Sequence, residues 1–221
     1  MLALSDDEQE TICRRSQRPM PATPSLLQSW AAGYGGRMRS NLRGWVMSTV
    51  DFIEQSLGFA HRALADARNG SDEQLHFVPP GGSHSIAWCL WHTARIEDLI
   101  INVRALDKAA LWDEEWARRT GLPAEGFGTG QSDDEARQIH VDDMEALAGY
   151  QALVWDATQR FLGSATDADL EREVPARAGT ETVGQGISLH MLGHFNGHRG
   201  EINTLRGMQG MPTVLAKEGT H

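Results

Sequence analysis

The sequence has few of the residues that disulfide-stabilised, membrane-spanning or secreted proteins need. Only two cysteines, Cys13 and Cys89, occur among 221 residues, which is too few for a disulfide framework. No apolar run approaches the roughly 18 residues of a membrane span. The first ten residues lack a basic region followed by a long apolar run, the pattern of a secretion signal. We therefore expect a cytoplasmic protein that makes no membrane contact.

Positive charge is also scarce. Lys and Arg total 20 residues against 30 for Asp and Glu, which gives a formal net charge of −10 at pH 7. A protein that binds phosphate backbones needs a basic stripe, and the sequence contains none. The composition therefore argues against a nucleic-acid partner, and we expect the partner to be a small-molecule substrate. It leaves open whether the protein is a monomer or a homodimer.

Composition divides the chain into three parts. Residues 1–46 are rich in Pro, Ser, Gly and Arg without sustained helical periodicity, which favours a flexible N-terminal extension with at most a short helix near residues 25–32. Residues 47–212 carry the apolar periodicity of long helices, and residues 213–221 form a C-terminal tail. Because a clear helix opens at Met47, this residue is a candidate for the natural start of the protein.

Apolar residues at helical spacing predict four long helices and one shorter helix in the second part. No alternation of strands and helices appears, so we predict an all-α four-helix bundle with a long crossover connection. The long helices are expected from Met47 to just before Asn69, from after residues 78–85 to Ala105, over residues 132–162, and from Gly184 to Gly207, with the shorter helix over residues 108–119, a glycine-rich loop over residues 126–130 and the crossover over residues 164–183.

Histidines on two of these helices point to a metal site. His190, His194 and His198 recur at a spacing of four, and each step of four advances ~400° around an α-helix, so neighbouring members share one face. His92 lies on the apolar stripe of the second helix, where an unpartnered imidazole would lose its hydration. Neutral imidazoles bind zinc, nickel, copper and iron, and three protein ligands leave a position for water or substrate.

The order of these histidines resembles the DinB/YfiT-like metal-binding four-helix bundles, with one His in the second long helix and HxxxHRGEI in the last. The segments LWDEEWARRTGLP and DLEREVP are similar to linkers of one DinB-like subgroup. The resemblance covers about residues 47–212 and implies a divalent metal ion, zinc or nickel, bound by His92, His194 and His198. Since the family includes thiol-dependent S-transferases, it also implies a transferase that activates a low-molecular-weight thiol such as mycothiol or bacillithiol.

Three residues of the last helix are candidates for the surroundings of the metal. Glu201, where many family members have Gln, is either a carboxylate that orients a ligand or a surface group paired with an Arg. His190 drifts ~40° from the next His and is expected to line the site or pack in the core, without reaching the ion. Asn196 flanks the ligand pair and is expected to meet solvent or substrate.

Two larger side chains are candidates for the wall of the pocket. Trp88 precedes His92 by one helical turn, and aromatics at this spacing either pack in the core or line a pocket. Arg199 keeps its charge at any physiological pH. If Arg199 turns inward, it must pair with Glu97 or Asp98, which we favour, or with an anionic substrate.

Three functions remain open on the sequence alone. The first is the thiol transferase, which needs no reactive protein cysteine and so agrees with reading Cys89 as a small buried hydrophobe. The second is a metal-dependent hydrolase that uses hydroxide in place of thiolate. The third is a non-catalytic metal-binding protein of the stress response. An open coordination position argues against a purely structural ion, whose sites normally have four protein ligands.

Overall fold

The computed structural model describes residues 47–214. The predicted extension, the short helix near residues 25–32 and all but the first two residues of the tail lie outside this range. The segments are, in chain order, α1 (Thr49–Ala67), α2 (Asp72–His76), α3 (Ile86–Asp98), π1 (Leu99–Ala105), α4 (Glu114–Thr120), α5 (Asp133–Arg137), α6 (Met144–Leu162), α7 (Asp167–Glu171), β1 (Glu173–Ala176), β2 (Gly179–Thr182), α8 (Val183–Gln185), π2 (Gly186–Gly193) and α9 (His194–Met208).

The predicted all-α bundle is confirmed, with four long helical rods made by α1, by α3 with π1, by α6, and by α8 with π2 and α9. The α3 helix packs against α6 and α9, and α1 packs against the same two helices. Each rod contributes fully buried side chains to one core, among them Leu57, Trp91, Tyr150 and Ile202. Burying one such side chain stabilises the fold by roughly 1.5–3 kcal/mol.

Side-chain caps set where the long helices begin. Ser48 accepts a hydrogen bond from the backbone N–H of Asp51, and the Asp51 carboxylate accepts one from the backbone N–H of Ser48, which forms a capping box at the start of α1. Ser85 accepts from the N–H of Trp88 at 3.1 Å and begins α3. This cap fixes the start of the helix that carries His92.

The third long helix is shorter than the sequence predicts. The prediction of one helix over residues 132–162 is wrong, because α5 ends at Arg137 and α6 begins at Met144. Asp143 caps α6 by accepting from the N–H of Ala146 at 2.8 Å. The N–H of Val141 donates to the ring of His76, which is far away in sequence, and this tertiary bond helps to hold the interruption in place.

Two other boundaries differ from the prediction. The short helix begins at Glu114, not near residue 108, because Asp113 caps it by accepting from the N–H of Trp116 at 2.9 Å. The crossover holds the short helix α7 and an antiparallel hairpin of β1 and β2, which the sequence analysis did not predict. Arg177 and Ala178 form the turn of this hairpin, and Gly179, the first residue of β2, has a φ of +91° that favours glycine. Within residues 47–214, no helix combines the length and apolar character that crossing a membrane requires.

Candidate metal centre

The structure brings the three predicted ligands together between α3 and α9. Nε2 of His194 lies 3.1 Å from Nε2 of His92 and 3.0 Å from Nε2 of His198. Ligands of a tetrahedral zinc ion at ~2.0–2.1 Å are themselves about 3.3 Å apart, close to this spacing. His92 is only 3% exposed, and the side chain of His198 is 11% exposed. All three donor atoms lie within 4.8 Å of one another, so they converge on one point between the helices.

The second nitrogen of two rings shows which atoms carry protons. Nδ1 of His92 faces the carbonyl oxygen of Phe127, and Nδ1 of His198 lies 2.8 Å from Oε2 of Glu201. Because a carbonyl and a carboxylate only accept, both Nδ1 atoms must donate, and in the neutral form of each ring Nε2 then carries no proton. A proton on Nε2 of His194 could serve only one of these two neighbours. In at least one of the two close pairs, the nitrogen lone pairs therefore repel each other unless a cation lies between them. This arrangement fits a bound metal ion.

Burial keeps two of these imidazoles neutral. Burial, together with the neighbouring imidazoles, lowers the pKa of His92 from 6.5 to about 3. Burial and the charge of His198 likewise lower the pKa of His194 from 6.5 to about 4. A metal binds only the neutral ring, so both residues are ready to ligate at pH 7 without first losing a proton.

Glu201 lies beside the ligands and receives two imidazole hydrogen bonds. Its Oε2 accepts from His198, and its Oε1 accepts from Nδ1 of His84 at 2.9 Å. Burial opposes its ionisation, but these hydrogen bonds and the nearby rings hold the pKa of Glu201 below its ordinary range. Of the two groups of partners left open by the sequence, Glu201 therefore pairs with imidazoles, and no Arg pairs with it among the described residues.

His84 is a further residue of the site that was not predicted from the sequence. His84 precedes the Ser85 cap and so lies outside the helix, where helical periodicity makes no prediction. Its position four residues before Trp88 could still have indicated that the two side chains are neighbours. The two rings stack at 3.6 Å with an angle of 2° between their planes. Trp88 also stacks with His92 at 4.5 Å, and its Nε1 donates to the side chain of Gln131 at 2.9 Å. Trp88 therefore forms a wall of the site and joins two histidines.

Three other candidate residues lie away from the three Nε2 atoms. The side chain of His190 is 48% exposed and bonds the carboxylate of Glu181 at 3.0 Å, so it neither lines the centre nor packs in the core. Asn196 is exposed and donates to the carbonyl of Leu192, one turn back along its own helix. The guanidinium of Arg199 lies 5.0 Å above the ring of Phe59.

The expected pairing of Arg199 with Glu97 or Asp98 does not occur among the described residues, and this prediction is corrected. Glu97 is bound by His61 at 3.0 Å and by the hydroxyl of Thr158 at 2.6 Å. Asp98 accepts from the hydroxyl of Tyr150 at 2.8 Å and from two backbone N–H groups. Both buried carboxylates are satisfied from other helices and loops, so neither needs the arginine.

A second cluster, Asp72, His76 and His140, also brings possible ligand atoms together. Here His76 is already used by the protein, because Nε2 accepts from the N–H of Val141 while Nδ1 faces the carbonyl and carboxylate of Asp72. Its lone pair is therefore engaged, and Asp72 and His140 are exposed. The three-histidine centre is the better metal site on donor chemistry.

Comparison with known proteins agrees with this fold. Residues 59–202 match the family model of the DinB superfamily. Among solved structures, the crystal structure of a conserved protein from Enterococcus faecalis is similar, with a TM-score of 0.64 and 21% sequence identity, over 75% of this chain and 99% of that one. At this identity the likeness shows the fold alone. No match was found among curated proteins.

Proposed function

The chain belongs to the DinB superfamily, and on that premise we propose that it is a divalent-metal-dependent transferase that activates a low-molecular-weight thiol. In this proposal His92, His194 and His198 bind one ion, with zinc or nickel preferred. The observation that carries it is the convergence of three Nε2 atoms while the Nδ1 protons of His92 and His198 are held by Phe127 and Glu201.

The donor set favours catalysis over a purely structural role. An ion held by three neutral imidazoles would keep its full charge, and it would lower the pKa of a thiol or water in the remaining position. The chain's own residues supply the rest of the environment. Trp88 packs against the rings on one side of the centre, and Glu201 fixes the ring of His198 through its hydrogen bond.

The structure also supports an external source of the thiol. Cys89 is the only cysteine among residues 47–214, and it is fully buried. Burial and the neighbouring carboxylate of Glu201 raise the pKa of the Cys89 thiol well above its ordinary value. Because a thiol in this state is a poor nucleophile, the reacting sulfur in our proposal comes from a small molecule. Its sulfur would bond the electrophilic carbon while the leaving group departs with its electron pair and the thiol proton passes to solvent.

The test is a panel of electrophiles assayed with mycothiol, bacillithiol, glutathione and no thiol, using metal-loaded and metal-free protein. Turnover that needs both a thiol and the metal is the expected result. Turnover of an ester or amide without any thiol would assign the protein as a hydrolase. Full metal loading with no turnover of any substrate would favour the non-catalytic metal-binding protein of the stress response.

A further inference from the structure

We infer that residues 126–131, here called the glycine segment, position His92 in the metal centre, and that Arg95 and Trp88 hold this segment in place. The inference rests on the proposed metal binding, and it assigns roles that the ligand geometry alone does not give. Arg95, Trp88 and the glycine segment act as positioning elements, since they touch His92 or its neighbours and not the reacting atoms.

Side chains from one face of α3 hold the glycine segment at successive points. Nη2 of Arg95 donates to the carbonyl of Gly126 at 2.5 Å, and Nδ1 of His92 donates to the carbonyl of the next residue, Phe127. Residues three apart on a helix are neighbours on its surface, so the two donors lie side by side. The ring of His92 is thus oriented by a carbonyl whose own position depends on Arg95.

The far end of the segment is tied to the same helix. Nε1 of Trp88 donates to the side chain of Gln131 at 2.9 Å. Because Trp88 also stacks on His92, a displacement of this end would reach the ligand through the indole. Both ends of the glycine segment are therefore bound to α3. Gln131 is bound by Trp88, one turn before His92, and Gly126 is bound by Arg95, one turn after it.

Gly128 brings the segment against the ligand. Its φ is +89°, and a Cβ at this position would lie 2.9 Å from Nδ1 of His92 and 2.9 Å from Cζ2 of Trp88. Real side chains do not approach so closely, so the backbone packs on the two rings only because this residue has no Cβ. Gly130 has the same φ of +89° but would meet nothing within 4 Å. The two glycines therefore have the same φ, which favours glycine, but only Gly128 packs against the rings of His92 and Trp88.

Arg95 is buried beside aromatic side chains, and besides the Gly126 carbonyl its guanidinium also hydrogen-bonds the hydroxyl of Tyr150. Arg95 is 9% exposed, and no carboxylate among the described residues lies within 4.0 Å of its guanidinium. Its Nε has no hydrogen-bond partner, and its guanidinium lies 4.9 Å above the ring of Trp112. A buried charge is costly unless it is used, and here it strengthens the hydrogen bond to the Gly126 carbonyl.

The first test compares Gly128→Ala with Gly130→Ala in the full chain. We would measure the dissociation constant for zinc by competition with a chromophoric chelator, and the visible spectrum of the cobalt form. Loss of a partner to a metal-bound His weakens metal binding ~10–100-fold, so this loss and a shifted cobalt spectrum are expected for Gly128→Ala. Gly130→Ala, which carries the same backbone strain, should keep the wild-type affinity and spectrum. Equal behaviour of the two variants would overturn the inference.

The second test does not depend on a glycine replacement. Arg95→Met should weaken zinc binding and change the cobalt spectrum, and Arg95→Lys, which retains a donor, should recover part of the effect. Arg206→Met is the matched control, because Arg206 is also buried, at 3% exposure, and donates to the carbonyls of Pro212 and Asn69. It should lower the melting temperature while leaving metal affinity and spectrum unchanged. An equal spectral change in the Arg95 and Arg206 variants would show a merely structural role.

The outcomes separate this inference from the proposed function. A wild-type protein that binds no divalent ion would overturn both. A wild-type protein that binds zinc, together with wild-type affinity and spectrum in Gly128→Ala and Arg95→Met, would overturn the positioning role alone.

Discussion

His198 and Glu201 are joined by a hydrogen bond of 2.8 Å between Nδ1 and Oε2, which directs the Nε2 lone pair of that ring at His194. The same carboxylate accepts from His84, so one anion organises two imidazoles at the edge of the centre. Through its hydrogen bond to His198, Glu201 therefore influences how strongly that imidazole would donate to a metal ion.

The three-histidine assignment predicts that metal binding requires each ligand. Purified protein should contain about one divalent ion per chain, and His92→Ala, His194→Ala and His198→Ala should each lose most of it, because two imidazoles hold an ion far less tightly than three. Metal content and zinc affinity are the measurements. His190→Ala is the control and should retain its metal, since His190 faces Glu181. Wild-type stoichiometry in the three ligand variants would show that the ion binds elsewhere.

Glu201 is predicted to support metal binding without contacting the ion. Glu201→Ala removes the acceptor for His198 and should weaken zinc binding ~10–100-fold, the usual effect of losing such a partner. Glu201→Gln keeps one acceptor oxygen and should lose less. Zinc competition titrations measure both effects. Glu181→Ala removes a similar His–Glu pair, that with His190, and should leave zinc affinity unchanged. If Glu201→Ala bound zinc as tightly as the wild type, the role of the hydrogen bond would be refuted.

The buried histidines predict a pH dependence of the metal-free protein. Folding lowers the pKa of His92 to about 3 and of His194 to about 4, from 6.5 in both cases. Below pH 6.5 the unfolded chain therefore binds protons that the native state refuses, so the free energy of unfolding should fall as pH drops from 6.5 towards 4. Urea unfolding in the presence of a chelator measures this fall. A variant with Phe in place of His92 should show a shallower decline, and an identical slope would contradict the assignment.

Helical periodicity located the four long helices, apart from the start of the third, and it placed His92 on a buried face, because apolar stripes record which face is buried. The proposed ligand set came from the family resemblance. Features set by contacts between distant segments were not visible in the same way. The break before α6 depends in part on the hydrogen bond from Val141 to His76, and the crossover hairpin depends on pairing of β1 with β2. His84 escaped notice because it precedes its helix. Arg199 was misjudged because Glu97 already had partners on other helices.

The segment before Met47 is predicted to be dispensable for the metal centre. Its composition does not support a core of its own, and the family match begins only at residue 59. A chain that begins at Met47 should keep the melting temperature and metal content of the full chain. Chemical denaturation would compare the two. A loss of more than ~2 kcal/mol, well above the effect of an ordinary surface change, would show that the segment contributes to stability.

The thiol proposal predicts a spectroscopic signal that does not depend on knowing the electrophile. Cobalt bound by three imidazoles has no sulfur ligand, since Cys89 is held by burial and by Glu201 in its protonated state. Addition of the correct thiol should therefore produce a sulfur-to-cobalt charge-transfer band, because an ion with unneutralised charge strongly favours thiolate over thiol. The band should be absent from His194→Ala and retained in Cys89→Ala, which identifies the added thiol as the source of the sulfur. A cobalt-loaded protein that shows no band with mycothiol, bacillithiol or glutathione, yet hydrolyses an ester, would use metal-bound hydroxide in place of thiolate.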